Sequence, residues 1–244
     1  MTIRLSISIP ALLVAGLLGV TASATAEVVV GGFSAAVPER GLPRDWRVAR
    51  LPRIEATRFR LVEDDGTVVM QLDAEGAAAS LYRPIRVEPA VTPLLHWRWR
   101  VGNLIPGADL TSKAGDDVPA RLYVMFDYPL ERLSLADRAK IAIARSVAGD
   151  LVPAAALCYV WDGSLAEGET LWNAYSDRVR VIVVESGARR VGQWVSEERD
   201  VAADFRAAFG EAAPPVSGVA IAADTDQTGE KVRSWFGDIR FTGQ

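Results

Sequence analysis

The chain has 244 residues, with 27 Lys+Arg against 31 Asp+Glu, half of its residues hydrophobic, one histidine and one cysteine. A lone Cys158 excludes a disulfide framework or a CxxC pair, and a lone His96 excludes HExxH zinc chemistry. Seven tryptophans and a 24% charged fraction exclude a disordered or fibrous chain.

The first element is an export signal. Arg4 is the only charge before Glu27, residues 9–20 are almost wholly apolar, and Ala24-Thr25-Ala26 gives a small-x-small cleavage site. That apolar stretch is too short to span a bilayer of about 30 Å. The expectation is a signal peptide over 1–26, cleaved after Ala26, and one domain over 27–244 in the periplasm or secreted. No transmembrane segment then remains. Cleavage moves the formal charge from −4 to −5. A mildly acidic domain lacks the basic stripe that a nucleic-acid partner requires.

Strand patterns dominate the mature chain. Val68, Met70 and Leu72 alternate with Val69, Gln71 and Asp73. In residues 95–101, Leu95, Trp97, Trp99 and Val101 share an apolar face, while His96, Arg98 and Arg100 share a polar one. Trp97 and Trp99 are therefore expected in the core. Further strands are expected over 121–127, 156–161, 179–185, 218–223 and 235–241. Asp64-Asp65-Gly66, Gly102-Asn103, Asp162-Gly163 and Ser186-Gly187 supply turns between them.

Two helices interrupt the strands. Ser134 with Asp137 reads as a capping box for a helix running to about Val147. Ser196 reads as the cap of a second helix, with Glu197 and Glu198 in its first turn, Val201 and Phe205 on one face, and Gly210 as its stop. The pattern predicts a mainly β chain, a two-sheet jelly-roll-like β-sandwich with two short packing helices. A mixed α+β fold is the alternative.

Three constellations carry chemistry. Lys113, Asp116, Asp117 and Arg121 form a charged loop leading into a strand, suited to sugar hydroxyls, a cation or acid–base work. The segment Asp224-Thr225-Asp226-Gln227-Thr228-Gly229 has the opening of a calcium loop, with Asp224, Asp226, Thr228 and the later Asp238 as candidate ligands for Ca²⁺. No cofactor is required by the sequence, and the position of a bidentate Glu is held by Trp235. The third is aromatic. Trp161, Trp172, Tyr175, Trp194 and Trp235 lie near polar residues, and Trp161, Asn173 and Trp235 are the expected ligand contacts among them and their neighbours, although Trp more often fills a core.

Nucleophile elbows, phosphate loops and dinucleotide fingerprints are absent from the sequence. His96 sits mid-strand and Cys158 in an apolar run, so chemistry must rest on carboxylates, arginines and tryptophans.

Residues 115–124, 159–162, 194–205, 224–229 and 235–239 resemble an uncharacterised family of exported bacterial proteins, domain-of-unknown-function family 3047. The likeness runs from about Phe33 to Phe241, and implies one secreted domain and no activity. The closing Gly-Asp-Ile-x-Phe strand is similar to the last strand of galactose-binding-like and other carbohydrate-associated jelly rolls. The expected function is binding of a carbohydrate or small polar ligand in an acidic and aromatic cleft; the alternatives are a carboxylate-based polysaccharide hydrolase or lyase, and an envelope structural or interaction protein.

Overall fold

A computed structural model describes Met1, residues 26–148 and residues 152–244. The expected signal peptide, apart from Met1 and Ala26, lies outside the described residues. Among the described residues fourteen strands form two seven-stranded sheets, the mainly β sandwich expected. Among the described residues no helix is long and apolar enough to cross a membrane.

The first sheet contains β1 (Glu27–Gly31), β3 (Arg58–Asp64), β4 (Thr67–Glu75), β6 (Leu94–Val101), β11 (Val195–Asp200), β13 (Lys231–Phe236) and β14 (Ile239–Thr242). Their order is β1-β14-β6-β13-β4-β3, with β11 on the other edge of β6. The second contains β2 (Arg47–Arg50), β5 (Ala78–Val87), β7 (Val118–Phe126), β8 (Ala156–Asp162), β9 (Thr170–Asn173), β10 (Ser176–Ser186) and β12 (Val216–Asp224). Its order is β2-β5-β12-β7-β8-β10-β9, antiparallel except for the parallel pair β8 and β10.

β6 alternates as its sequence predicts, with Leu95, Trp97, Trp99 and Val101 buried and the residues between them half-buried. Trp99 meets Trp161 of β8 with ring centroids 6.1 Å apart, and Trp97 meets Tyr159 at 5.3 Å. These contacts join the sheets face to face, with Phe236, Phe241, Leu72, Leu81 and Leu122 fully buried around them. Asp65 and Gly66 both adopt positive φ, 49° and 74°, in the two-residue turn joining β3 to β4. Gly66 accepts that backbone at no steric cost, so the Asp-Gly pair sets the hairpin register.

α1 (Leu135–Ala148) begins as expected, the Ser134 hydroxyl accepting from the Asp137 amide at 3.1 Å. α2 (Val201–Phe209) begins later than expected. Ser196, Glu197 and Glu198 lie in β11 and pair with Arg98, Trp97 and His96 of β6. Asp200 caps the helix instead, accepting from the Ala203 amide at 2.9 Å. The run expected as one strand over 235–241 is likewise two, because the chain turns at Gly237-Asp238 and β14 moves from β13 to the other end of β6.

Candidate functional site

The outer face of the second sheet carries a cleft of about 900 Å³, in the upper part of the size range typical of ligand pockets. Its floor comes from β5, β12 and β7. Along β7 the outward residues Arg121, Tyr123 and Met125 follow one another, opposite Ala222, Ala220 and Gly218 of β12. α1 lines the cleft through Asp137, Lys140, Ile141 and Ala144, positions on one helical face. Both helices had read as packing elements, but α1 is a wall of this cavity. The other wall is the β9–β10 turn, with Trp172, Asn173, Tyr175 and Ser176.

A β-bulge builds the polar end. Ala222 opposes Arg121 while Asp224 opposes Val118, so β7 has one residue more than β12 between those pairings. Pro119 falls inside the bulge, where its missing N–H leaves no ladder bond unmade. The displacement lets Arg121 reach Asp224 diagonally, with Nη2 2.8 Å from Oδ2 and side-chain exposures of 4% and 16%. The same Nη2 donates to the Asp116 carbonyl at 2.9 Å and lies 3.5 Å from its Oδ1, while Nη1 donates to the Tyr123 hydroxyl at 3.0 Å.

Desolvation opposes charge on Arg121, but Asp224 in particular holds its pKa above the usual value. Burial raises the Asp224 carboxyl to about 7 despite the Arg121 charge, with Asp116, Asp117 and Asp226 adding to the rise. Burial and then Asp117 push Asp226 upward too. Burial drives the Tyr123 hydroxyl well above its ordinary value, so it serves as a neutral hydrogen-bonding group. Asp116 Oδ1 and Arg121 Nε are buried without a hydrogen-bond partner.

The expected site residues divide between several places. Asp116, Arg121, Asn173, Asp224 and Asp226 line the cleft, and the Asn173 amide donates to Asp116 Oδ2 at 3.1 Å. Asp117 lies directly behind, fully buried, accepting from the amides of Gln227 and Thr228 at 3.3 and 2.7 Å. Lys113 stands beside the wall, its carbonyl accepting from the Tyr175 hydroxyl at 2.9 Å and its ammonium 5.3 Å from that ring.

Trp161 is placed in the core, fully buried, its indole N–H donating to the Gly187 carbonyl at 3.2 Å. Trp235 stands on the first sheet, donating to Gln71 Oε1 at 3.1 Å with Arg100 packed 4.2 Å over its ring. Neither can contact a ligand in this cleft.

The expected cation ligands also separate. Asp117, Asp224 and Asp226 each place a carboxylate oxygen within 4.8 Å of the others. Thr228 contributes its amide to Asp117, and its hydroxyl accepts from the Glu230 amide at 3.3 Å. Asp238 is fastened to Ser34, accepting from its amide at 2.8 Å and its hydroxyl at 2.5 Å. Arg121 supplies the positive charge beside Asp224, the position a cation would need.

Trp172 and Tyr175 present 38% and 57% of their surface to solvent. Of the five candidate aromatics these two border the cleft, but Trp172, opposite Arg180 of β10, turns its indole to the other face of the sheet, against Phe209 of α2. Tyr123 and Met125 were not singled out by sequence, although their alternation with Arg121 carries them to the same face.

Solved structures similar to this chain share little sequence with it. A family 29 carbohydrate-binding module complexed with mannohexaose is 11% identical, with 90% of this chain and 93% of the module covered and a TM-score of 0.39. The family 11 carbohydrate-binding module of a Clostridium thermocellum cellulosomal cellulase is 6% identical, with 91% and 97% covered and a TM-score of 0.43. A cellulase derived by mutation from a Rhodothermus marinus enzyme is 14% identical, with 88% and 100% covered and a TM-score of 0.42. No curated protein matches the sequence. A family profile matches residues 44–240, and the chain belongs to that family, described as protein of unknown function (DUF3047).

Proposed function

We propose that this domain, exported by its N-terminal signal, binds a carbohydrate or similar polyhydroxylated ligand in the cleft on its second sheet. The observation that carries the reading is the juxtaposition of an exposed aromatic, Tyr175, with a hydrogen-bonding cluster of Asp116, Arg121, Tyr123 and Asp224 at one end of the cleft. A phenol face suits the C–H face of a sugar ring, and carboxylate and guanidinium groups suit its hydroxyls. Arg121 holds the charge balance, so Ca²⁺ is not needed for binding.

The test is a glycan array followed by calorimetry on the strongest binder. Tyr175→Ala and Asp116→Asn are each expected to weaken binding at least about tenfold, equivalent to about 1.4 kcal/mol. Unchanged affinity in both variants removes this cleft as the site.

A second reading is a hydrolase or lyase. It rests on Asp224, whose carboxyl, raised to about 7, holds a transferable proton near neutrality beside the carboxylate of Asp226. Released reducing ends or unsaturated sugars, abolished in Asp224→Asn, would establish it; an inert protein across a broad polysaccharide panel removes it.

A further inference from the structure

The cleft is two-ended, and the ends differ in chemistry. Arg121 and Met125 lie four residues apart on the same face of β7, about 13 Å at the rise of a β-strand. At the Arg121 end stand Asp116, Asp224 and Asp226. At the Met125 end the lining is mainly apolar, with Tyr82, Met125, Ile141, Ala144, Val152 and Pro153, bordered by Asp137, Lys140 and Arg178.

Two features build this apolar arm. Tyr82 lies flat across Gly218, where a Cβ would come within 2.3 Å of the ring, so the absence of a side chain lets the phenol lie against the sheet. Ile141 of α1 packs with Leu133 and Ala154, which fixes the helix over this end of the cavity. Lys140 ties the same helix to the start of β10, 3.7 Å from Asp177. On the side away from the cleft, α1 leaves Leu135 and Ile143 exposed, so the helix offers aliphatic side chains on both sides.

An unsubstituted sugar satisfies only one end. Its hydroxyls would lose water against Met125, Ile141 and Val152 without gaining partners, at the cost that burying an unpaired polar group carries. We infer that the ligand is an amphiphile: a hydroxylated headgroup held at Asp116, Arg121 and Asp224, carrying an alkyl or acyl chain that runs along β7 toward Met125 under α1. This rests on the carbohydrate reading for its headgroup and adds the chain. The same chemistry is met in a glycolipid and in a soluble alkyl or acyl glycoside.

The experiment titrates the full chain with methyl, hexyl, octyl and decyl β-glucoside below their micelle concentrations, by calorimetry. Affinity is expected to rise about fourfold for each added methylene until the arm is filled. Ala144→Phe, which fills the arm from α1, and Met125→Gln, which makes its floor polar, are each expected to flatten that rise; circular dichroism confirms that they fold.

Equal affinity for the methyl and decyl compounds overturns the amphiphile and leaves the carbohydrate reading standing. Octanol bound as tightly as octyl glucoside overturns the headgroup, and the carbohydrate reading with it. No binding of decyl glucoside overturns the chain, while the glycan array decides the headgroup separately. Vesicles containing a glycolipid distinguish the two sources: retention of the protein on them, competed by octyl glucoside, assigns a membrane-borne ligand, and binding to the soluble glycosides alone assigns a free one.

Discussion

Arg121 and Asp224 meet diagonally at 2.8 Å across a β-bulge, the guanidinium 4% and the carboxylate 16% exposed. The Asp116 carbonyl and the Tyr123 hydroxyl accept from the same guanidinium. Removing one member strands the other in a desolvated place, and breaking a buried pair costs about 3–5 kcal/mol. Arg121→Met is expected to lose stability in that range by denaturant unfolding, and Arg121→Met with Asp224→Leu to lose much less. A double variant as unstable as the sum of the singles would show that the two residues act independently.

The raised carboxyls set a pH dependence. Asp224 rises from 3.8 to about 7 and Glu197 from 4.5 to about 7, in both cases because burial disfavours the ionised form. The folded state therefore binds more protons than the unfolded chain between the ordinary and raised values, and stability falls as pH rises through that window. Asp64 and Asp73 act in the opposite sense. Burial opposes their charge, but hydrogen bonds from Arg100 and Trp194 to Asp64, and from Arg233, Gln71 and Arg60 to Asp73, lower their pKa values. Their contribution is present above 3.8 and is lost as pH falls below it. Unfolding midpoints should thus be highest on the acid side of neutrality, and Asp224→Asn with Glu197→Gln should flatten the decline toward neutral pH. A midpoint that climbs steadily through that range would contradict these assignments.

Much of the fold was legible in the sequence because its causes are local. Period-2 alternation names every buried residue of β6, and Asp65-Gly66 names a hairpin turn. The start of α2 was not legible, because Ser196 followed by two glutamates imitates a helix cap. Pairing with β6 draws that segment into the sheet, and Asp200 does the capping. The cleft shows the same division. Asp116, Arg121 and Asp224 were readable as chemistry, but that Asp238 belongs elsewhere was not. The chain crosses from the second sheet to the first between β12 and β13, so a residue close to Asp224 in sequence ends beside Ser34. Trp161 was misplaced for a related reason: β8 is buried on both faces, and no alternation in its sequence reveals which way the indole points.

The cap itself is testable. Asp200 accepts from the Ala203 amide at 2.9 Å in an exposed setting, and removing such a cap costs about 1 kcal/mol. Asp200→Ala is expected to lose about that amount, and Ser196→Ala, on the exposed face of β11, almost nothing. The reverse ranking in thermal or denaturant unfolding would return the helix start to Ser196.

Calcium addresses the three clustered aspartates. Both Asp117 oxygens already accept backbone amides, and Asp224 is paired with Arg121. A cation would have to compete with these partners and with the guanidinium charge. A ligand that binds only the folded state raises the melting temperature, so the melting temperature is expected to be the same in Ca²⁺ and in chelator. A rise of several degrees with Ca²⁺, lost in Asp226→Asn, would place an ion among Asp117, Asp224 and Asp226.

Two tryptophans and Tyr175 separate packing from recognition. Trp161 is fully buried against Trp99 between the sheets, and deleting such a side chain costs about 3–5 kcal/mol through lost transfer energy and the cavity left behind. Trp172, 38% exposed, packs edge-on against Phe209 at 5.5 Å and lies under Arg180 at 5.0 Å, on the face of the second sheet away from the cleft floor. Part of its area is already in water in the free protein, so Trp172→Ala should cost less stability than Trp161→Ala. Binding should follow neither: Tyr175→Ala loses ligand affinity while folded, and Trp161→Ala, at any temperature where it remains folded, keeps it. Affinity lost in Trp161→Ala with stability intact would move the binding surface away from this cleft, because no path from the cleft reaches that indole except through the sheet.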